Sequence, residues 1–375
     1  MILAVATSLT PVVVVTGSAW LMPSIQRPDL PFGVRVPADR VGDDAIVEAN
    51  RTFRHRMLVS GMLVLLASVV LSSVFDGGSP AAAVPVGIAP ILPLVLAVVV
   101  FYLRARASIL RAKAEQRWYD NVRQRVTVDT SLRTTPEHFP WVWTLLSVAV
   151  VLATLVAGIA MYPSMPARVP WHSNGTTVDA WRDKSPWVVG MPVVLEALLT
   201  VLIIGLLVWS FRSRADLEPS APQRSAQQHR MFLRRIGRAL LVLIACANAS
   251  ILLGMIPMWQ GQTPQGWTVL GLVLLPLIGT AYVVGVSVRT GQGGTRIATT
   301  DGAEPERPGT AHTDDDRYWR LAGTLYINRD DPAILVQKRV GIGWTFNLGN
   351  PTSIAVAVVA VVGTVAVTLL AAVSG

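Results

Sequence analysis

The chain has 375 residues, of which 52% are hydrophobic and only 15% charged, with a formal net charge of +9 and a single cysteine. A soluble domain carries about 25% charged residues, and the mean hydropathy here is +0.49, so the composition excludes an ordinary water-soluble domain. The lone Cys246 excludes an internal disulfide and any cysteine-built metal or redox centre.

Apolar runs of about 20 residues recur along the chain, each long enough to cross a hydrocarbon core of about 30 Å. Because they are continuous and not alternating, they read as helices and not as barrel strands. In chain order the predicted spans are Met1–Met22, Met57–Phe75, Val84–Leu103, Trp141–Met161, Trp187–Phe211, Ala239–Met258, Trp267–Val288 and Ile354–Val373. Pro85, Pro90 and Pro93 predict an irregular first half for the third span. The first run lacks the basic lead of a signal peptide and is too long for its apolar core.

Orientation follows from the cations. Segments 23–56, 104–140, 212–238 and 289–353 hold 29 of the 32 Lys and Arg residues, and the remaining three are Arg168, Arg182 and Lys184. Cytoplasmic loops carry the positive excess, which predicts both termini outside and the four basic segments in the cytoplasm. The net charge is thereby assigned to topology and to anionic lipid headgroups. No aromatic-basic module points to nucleic acid. The predicted fold class is an all-α polytopic membrane protein of about eight transmembrane helices, N-out and C-out, with a small β-rich cytoplasmic motif before the last helix.

The connections differ in kind. Residues 23–56 contain PFGVRVPADR and then a charged helical approach to the second span. The stretch from Arg104 to Arg125 continues the third span as a helix with a sparse apolar stripe of Ile109, Leu110, Trp118 and Val122, suited to the membrane surface or the underside of the bundle. The predicted domain division is a seven-helix region over 1–290, a flexible linker over 291–317, the β-rich motif over 318–351 and the last span over 352–375. In the motif, Gly323–Ile327 and Ala333–Lys338 flank NRDDP, and Gly341 and Gly343 precede Trp344–Leu348. NRDDP is turn chemistry, so Asp330 and Asp331 are assigned to a turn and not to a metal.

The connection between the fourth and fifth spans, residues 162–186, reads YPSMPARVPWHSNGTTVDAWRDKSP. Pro163, Pro166 and Pro170 stiffen its lead, Asn174-Gly175 is a turn signal, and Trp171, Trp181 and Trp187 suit the membrane interface. The segment is predicted to fold back across the outer mouth of the bundle. Three readings of its polar residues stay open. It is a lid, with Asp179 paired to Lys184 or Arg182; it is a docking surface for an extracytoplasmic peptide, lipid or cell-wall ligand; or His172, Asp179 and Asp183 act as acid and base or gather a metal. The ligand-binding candidates are His172, Asn174, Asp179, Trp181 and Lys184; no metal ligand, catalytic residue or cofactor is assigned. Glu196 is the one charged side chain inside a predicted span. At 1.5 Å per residue it lies about 15 Å deep, where a carboxyl faces a cavity or a partner. It is either a protonated group bonded to a neighbouring helix through Asn248 or Ser250, or a proton or cation site.

Residues Met165-Pro166, Val169-Pro170, His172, Asn174, Gly175, Asp179, Trp181 and Lys184 resemble the signature LPxxIPxHxNxxGxxDxWxxK of the SdpI-type family of bacterial integral membrane proteins, with the His172–Asp179 interval one residue shorter than the pattern. Tyr318–Pro351 resembles a small domain of unknown function at the C-terminus of related proteins, and PFGVRVPADR resembles a segment of the same relatives. The resemblance implies a multi-pass protein of the bacterial plasma membrane. It also implies the family's best-known activity, immunity to a secreted peptide toxin with signalling through a cytoplasmic protein partner. Two classes of function follow: a receptor or immunity-type protein that binds an extracytoplasmic peptide or envelope ligand and relays inward, and a transporter or intramembrane enzyme using Glu196 with His172 and Asp179.

Overall fold

The computed structural model describes residues 2–74, 91–120, 122–125, 131–173, 178–299 and 310–373. Among these are eight long helices: α1 (Ile2–Ile25), α2 (Asp44–Val74), α3 (Ile91–Glu115), α4 (Trp141–Met161), α5 (Pro186–Ser210), α6 (Pro222–Trp259), α7 (Trp267–Thr290) and α8 (Pro351–Val373). Six of them, α2 to α7, are long and apolar enough to cross a membrane; the apolar stretches Pro11–Ile25 and Pro351–Gly363 of α1 and α8 are shorter. The chain is a mostly helical, multi-pass membrane protein. The start of the third predicted span, with Pro85 and Pro90, lies outside the described residues. Pro93 falls in the first turn of α3, where a missing N–H leaves no helical bond unmade.

Chain contacts divide the molecule into two units. The first comprises Met1–Asp129, Arg214–His229 and Thr290–Asn350. It therefore draws together parts of all four basic segments. Its long helices are α1, α2 and α3, and its core includes Val12, Phe32, Phe53, Met57, Leu94, Ile109 and Trp118. Thr16 of α1 sits against Gly61 of α2, where any Cβ would meet its side chain at 2.3 Å. Both α2 and α3 run on past their apolar parts as single helices. The stripe that buries the charged end of α3 is Tyr102, Ala105, Ile109 and Ala112, spaced by three and four residues as one helix face requires. Leu110 is off that face and exposed. The helix ends at Glu115, Arg117 takes a positive φ of 50°, and strand β1 (Arg123–Arg125) follows.

The second unit comprises Thr130–Ser213, Arg230–Arg289 and Pro351–Gly375. Its connection between α4 and α5 is an antiparallel hairpin of β2 (Arg168–Ser173) and β3 (Val178–Asp183), with Arg168 opposite Asp183 and Pro170 opposite Trp181. Ser185 then caps α5 by accepting from the Val188 amide at 3.2 Å, with Pro186 at the first helical position. Helices α6 and α7 approach closely at glycines: a Cβ on Gly271 would meet Leu253 at 2.2 Å, and one on Gly254 would meet Leu272 at 2.8 Å.

The remaining strands are β4 (Thr310–His312), β5 (Trp319–Arg320), β6 (Leu325–Tyr326), β7 (Leu335–Gln337) and β8 (Trp344–Phe346). β1 pairs with β4 in parallel, β5 pairs with β6, and β7 pairs with β8 across the Gly341–Gly343 turn. NRDDP lies between β6 and β7, which pair with β5 and β8 and not with each other. Asp331 is buried and turned to other partners: it accepts from the Ala333 amide, the Tyr326 hydroxyl and both terminal nitrogens of Arg214. A parallel bridge from Tyr326 to Asn347 connects the two hairpins. Asn347 is fully buried and fully used, accepting from the Asn328 and Gly349 amides and donating to the Asn328 and Asp331 carbonyls. A Cβ on Gly349 would lie 2.4 Å from the Asn328 carbonyl carbon. Because backbone cannot yield there, Gly349→Ala is expected to destabilise this motif by about 1–3 kcal/mol, measured as a lowered thermal midpoint of the purified protein; an unchanged midpoint would contradict the close approach.

Candidate functional site

The hairpin is held by apolar contacts beneath it. Met165 and Val169 pack on Val189 of α5 and on Trp259 at the end of α6, which is 1% exposed. Lys184 does not point to solvent: its Nζ donates to the carbonyls of Tyr162 and Met165 at 3.3 and 3.1 Å and lies over the Tyr162 ring. It thus ties the lead of the hairpin to its exit. Arg182 stacks over Trp171, 4.4 Å from the ring centroid. Trp181 is 42% exposed and Trp187 54%, so two large rings stay open beside that stacked pair. The backbones of His172 and Asp179 belong to β2 and β3. Their side chains, and Asn174 and Gly175 entirely, lie outside the described residues.

Glu196 lies on α5 within the bundle and is fully buried. Its Oε1 accepts from the Thr154 hydroxyl of α4 at 3.3 Å, and its Oε2 has no partner among the described residues. The residues proposed to hold it are engaged elsewhere: Asn248 donates to Thr200 at 2.9 Å and Ser250 donates to the Leu272 carbonyl at 2.8 Å. Thr200 is four residues beyond Glu196, one turn along the same face, so Asn248 reaches the turn next to the glutamate. Trp259 Nε1 is likewise buried without a partner among the described residues. The facing sides of α4, α5 and α6 thus carry a line of polar groups.

A second constellation lies in the first unit and is illegible in sequence. Arg27 and Arg35, both 4% exposed, share the carboxylates of Asp29 and Asp216. Arg35 also reaches Asp315 at 3.4 Å, and its amide donates to Asp316. Arg339, 1% exposed, pairs with Asp315 and Asp316, donates to the Gly33 carbonyl at 3.1 Å and stacks over Trp319. Lys113 at the end of α3 pairs with Asp314 and Asp316 at 2.8 and 2.7 Å. Burial alone would push Asp29 up, but Arg27 and Arg35 outweigh it and hold the carboxyl at about 2. The same balance holds Asp216 well below the usual carboxylate range. Burial pushes His312 down to about 4 against the pull of Asp216. Its Nε2 accepts from Arg27 Nη2 at 3.2 Å while Nδ1 faces Asp216 at 3.4 Å.

Ligand atoms of Asp29, Glu218 and His312 gather within 4.8 Å, close enough for a metal ion. The Arg27 guanidinium bonds both Asp29 and His312 there, so a resident cation already takes the place a metal would need. The readable trace of the network is the set of aspartates, Asp29, Asp216 and Asp314–Asp316, interspersed among the arginines of the basic segments. Counting cations for topology passes over them.

These features describe a multi-pass helical protein with a docked extramembrane hairpin on one unit and a buried ion-pair network in the other. Residues 149–195, from α4 through the hairpin into α5, match a family described as Domain of unknown function (DUF1648). Residues 329–354 match one described as Family of unknown function (DUF5808). No curated protein and no solved structure matches the chain.

Proposed function

We propose that the protein is an SdpI-like, immunity-type receptor of the bacterial plasma membrane, with both termini outside. In this reading the 162–186 hairpin binds an extracytoplasmic peptide or envelope ligand, and the first unit relays occupancy to a cytoplasmic partner. The observation that carries the reading is the hairpin itself, seated on Trp259 and tied by Lys184, with Trp181 and the Arg182–Trp171 stack left open. Exposed tryptophan and arginine on a preformed support are the residues that dominate binding energy at interfaces.

The second reading, a transporter or intramembrane enzyme, draws on one feature, the half-satisfied carboxyl of Glu196 buried beside Thr154. Protection of a sensitive strain against secreted peptide toxins separates the two. Trp181→Ala is expected to lower protection by about 30-fold, the scale of an interfacial hot spot, while Glu196→Gln leaves it within about twofold. Loss in Glu196→Gln with none in Trp181→Ala would select the second reading. Signalling, but not binding, should depend on residues 323–350.

A further inference from the structure

Helices α2 and α3 change character at the same level. On α2 the basic residues Arg51, Arg54 and Arg56 give way to an apolar run from Met57, and on α3 the apolar run ends at Leu103 before Arg104 and Arg106. The Arg56 guanidinium lies over the Phe101 ring of α3, 5.8 Å from its centroid, so the two boundaries face one another. Such a boundary is where a membrane helix meets lipid headgroups.

The four arginines nearest this level divide into two pairs. Arg54 donates to the Ser24 hydroxyl and stacks over Trp20, 5.3 Å from the ring centroid, and Arg106 donates to the Phe32 carbonyl at 3.0 Å. Those two are spent on the chain itself. Arg56 and Arg104 are exposed and line a shared cleft of about 280 Å³ between α2 and α3. Phe53 and Phe101 lie at its apolar wall. Among the described residues, Glu48 is the one carboxylate in the lining. It already accepts from the Thr52 hydroxyl at 2.8 Å, and it lies eight residues before Arg56, away from the apolar run. The lining therefore carries two cations against one carboxylate. In the other direction Val59 and Leu63, three and seven residues beyond Arg56 and so on its face of α2, are 43% and 62% exposed.

We propose that this cleft binds one anionic phospholipid, its phosphodiester between Arg56 and Arg104 and an acyl chain along Val59 and Leu63. Planar guanidinium forks match phosphate oxygens two at a time, and basic pockets between membrane helices hold anionic headgroups. A free phosphate would leave the apolar wall and track unused. A zwitterionic headgroup would bring an ammonium to a cleft whose net charge is already positive. The site does not depend on the receptor reading.

The test uses the full chain in nanodiscs of phosphatidylcholine with a minority of phosphatidylglycerol, and native mass spectrometry to count the lipids that stay bound. The wild type should retain one phosphatidylglycerol per chain in preference to phosphatidylcholine, and also to phosphatidylethanolamine when that replaces it. Arg56→Gln and Arg104→Gln should each weaken retention about fivefold, the step for one cation at an anionic membrane surface. Arg111→Gln removes an exposed cation of α3 outside the cleft and should retain lipid as the wild type does. Thermal midpoints in phosphatidylcholine alone check that the variants fold. Glycerophosphoglycerol, the same headgroup without acyl chains, and inorganic phosphate should not displace the lipid; displacement by either would overturn the lipid assignment in favour of a soluble phosphate. Equal retention of a zwitterionic lipid, or an equal loss in Arg111→Gln and the cleft variants, would overturn the site.

Discussion

Replacing Arg35 by methionine is expected to destabilise the first unit by about 3–5 kcal/mol, the range for breaking a buried ion pair from one side. The side chain is 4% exposed and bonds Asp29 at 2.9 Å and Asp216 at 2.8 Å, with Asp315 at 3.4 Å. Methionine fills much of the volume but leaves three carboxylates sharing fewer cations. The loss should be local first, with faster hydrogen exchange over residues 310–339, because Arg35 connects the segment after α1 to both the 214–218 connection and the 314–316 turn. Arg35→Lys should recover only part of the stability, since a single ammonium cannot reproduce the planar fork that engages two carboxylates at once. Wild-type exchange rates in Arg35→Met would show that the network is idle.

The second large effect is on pH dependence. His312 sits near 4 in the folded protein against an ordinary 6.5, so folding favours its neutral form. Between those values the unfolded chain binds a proton that the folded chain rejects. The contribution is full above about pH 6.5 and is lost as pH falls towards 4, amounting to about 3 kcal/mol. The groups facing the ring are Arg27 and Arg35, which oppose its charging, and Asp29, Asp216 and Glu218, which favour it. Glu218 works in the other direction: burial, then Asp29, raises it, so its penalty eases on acidification. Asp29, held at about 2, adds a further loss only below about pH 4. Thermal midpoints at stepped pH should fall between 6.5 and 4 in the wild type and flatten over that interval in His312→Gln, which keeps an acceptor for Arg27. An equal slope in both proteins would refute the assignment.

The helices were legible because each apolar run needs only local sequence. Asp44–Val74 and Ile91–Glu115 extend the predicted spans into charged residues as read. The 162–186 hairpin was half legible: its prolines marked a stiff lead, but the pairing of Arg168 with Asp183 and the bonds of Lys184 to the Tyr162 and Met165 carbonyls follow from no local rule. NRDDP reads as turn chemistry and makes turn bonds, Asn328 accepting from the Asp330 amide and Asp331 from the Ala333 amide, but the further claim of Arg214 and Tyr326 on Asp331 is one that no local rule supplies. Least legible was the network. Arg27, Arg35 and Arg339 look like headgroup cations in a charge count, and only the assembled fold shows them buried. A rule that scores cations by sidedness treats a buried guanidinium and a lipid-facing one alike.

The bond from Arg339 to the Gly33 carbonyl spans 306 residues. At ribosomal speeds of about 5–20 residues per second, roughly 15–60 s separate the synthesis of its two ends. Throughout that interval Arg27, Asp29 and Arg35 are made and inserted beside α1, while Asp315, Asp316 and Arg339 do not yet exist. The first unit therefore cannot complete its network until Arg339 has been made. A chain truncated before residue 310 keeps Arg27, Asp29 and Arg35 but lacks the Asp315, Asp316 and Arg339 that complete their network.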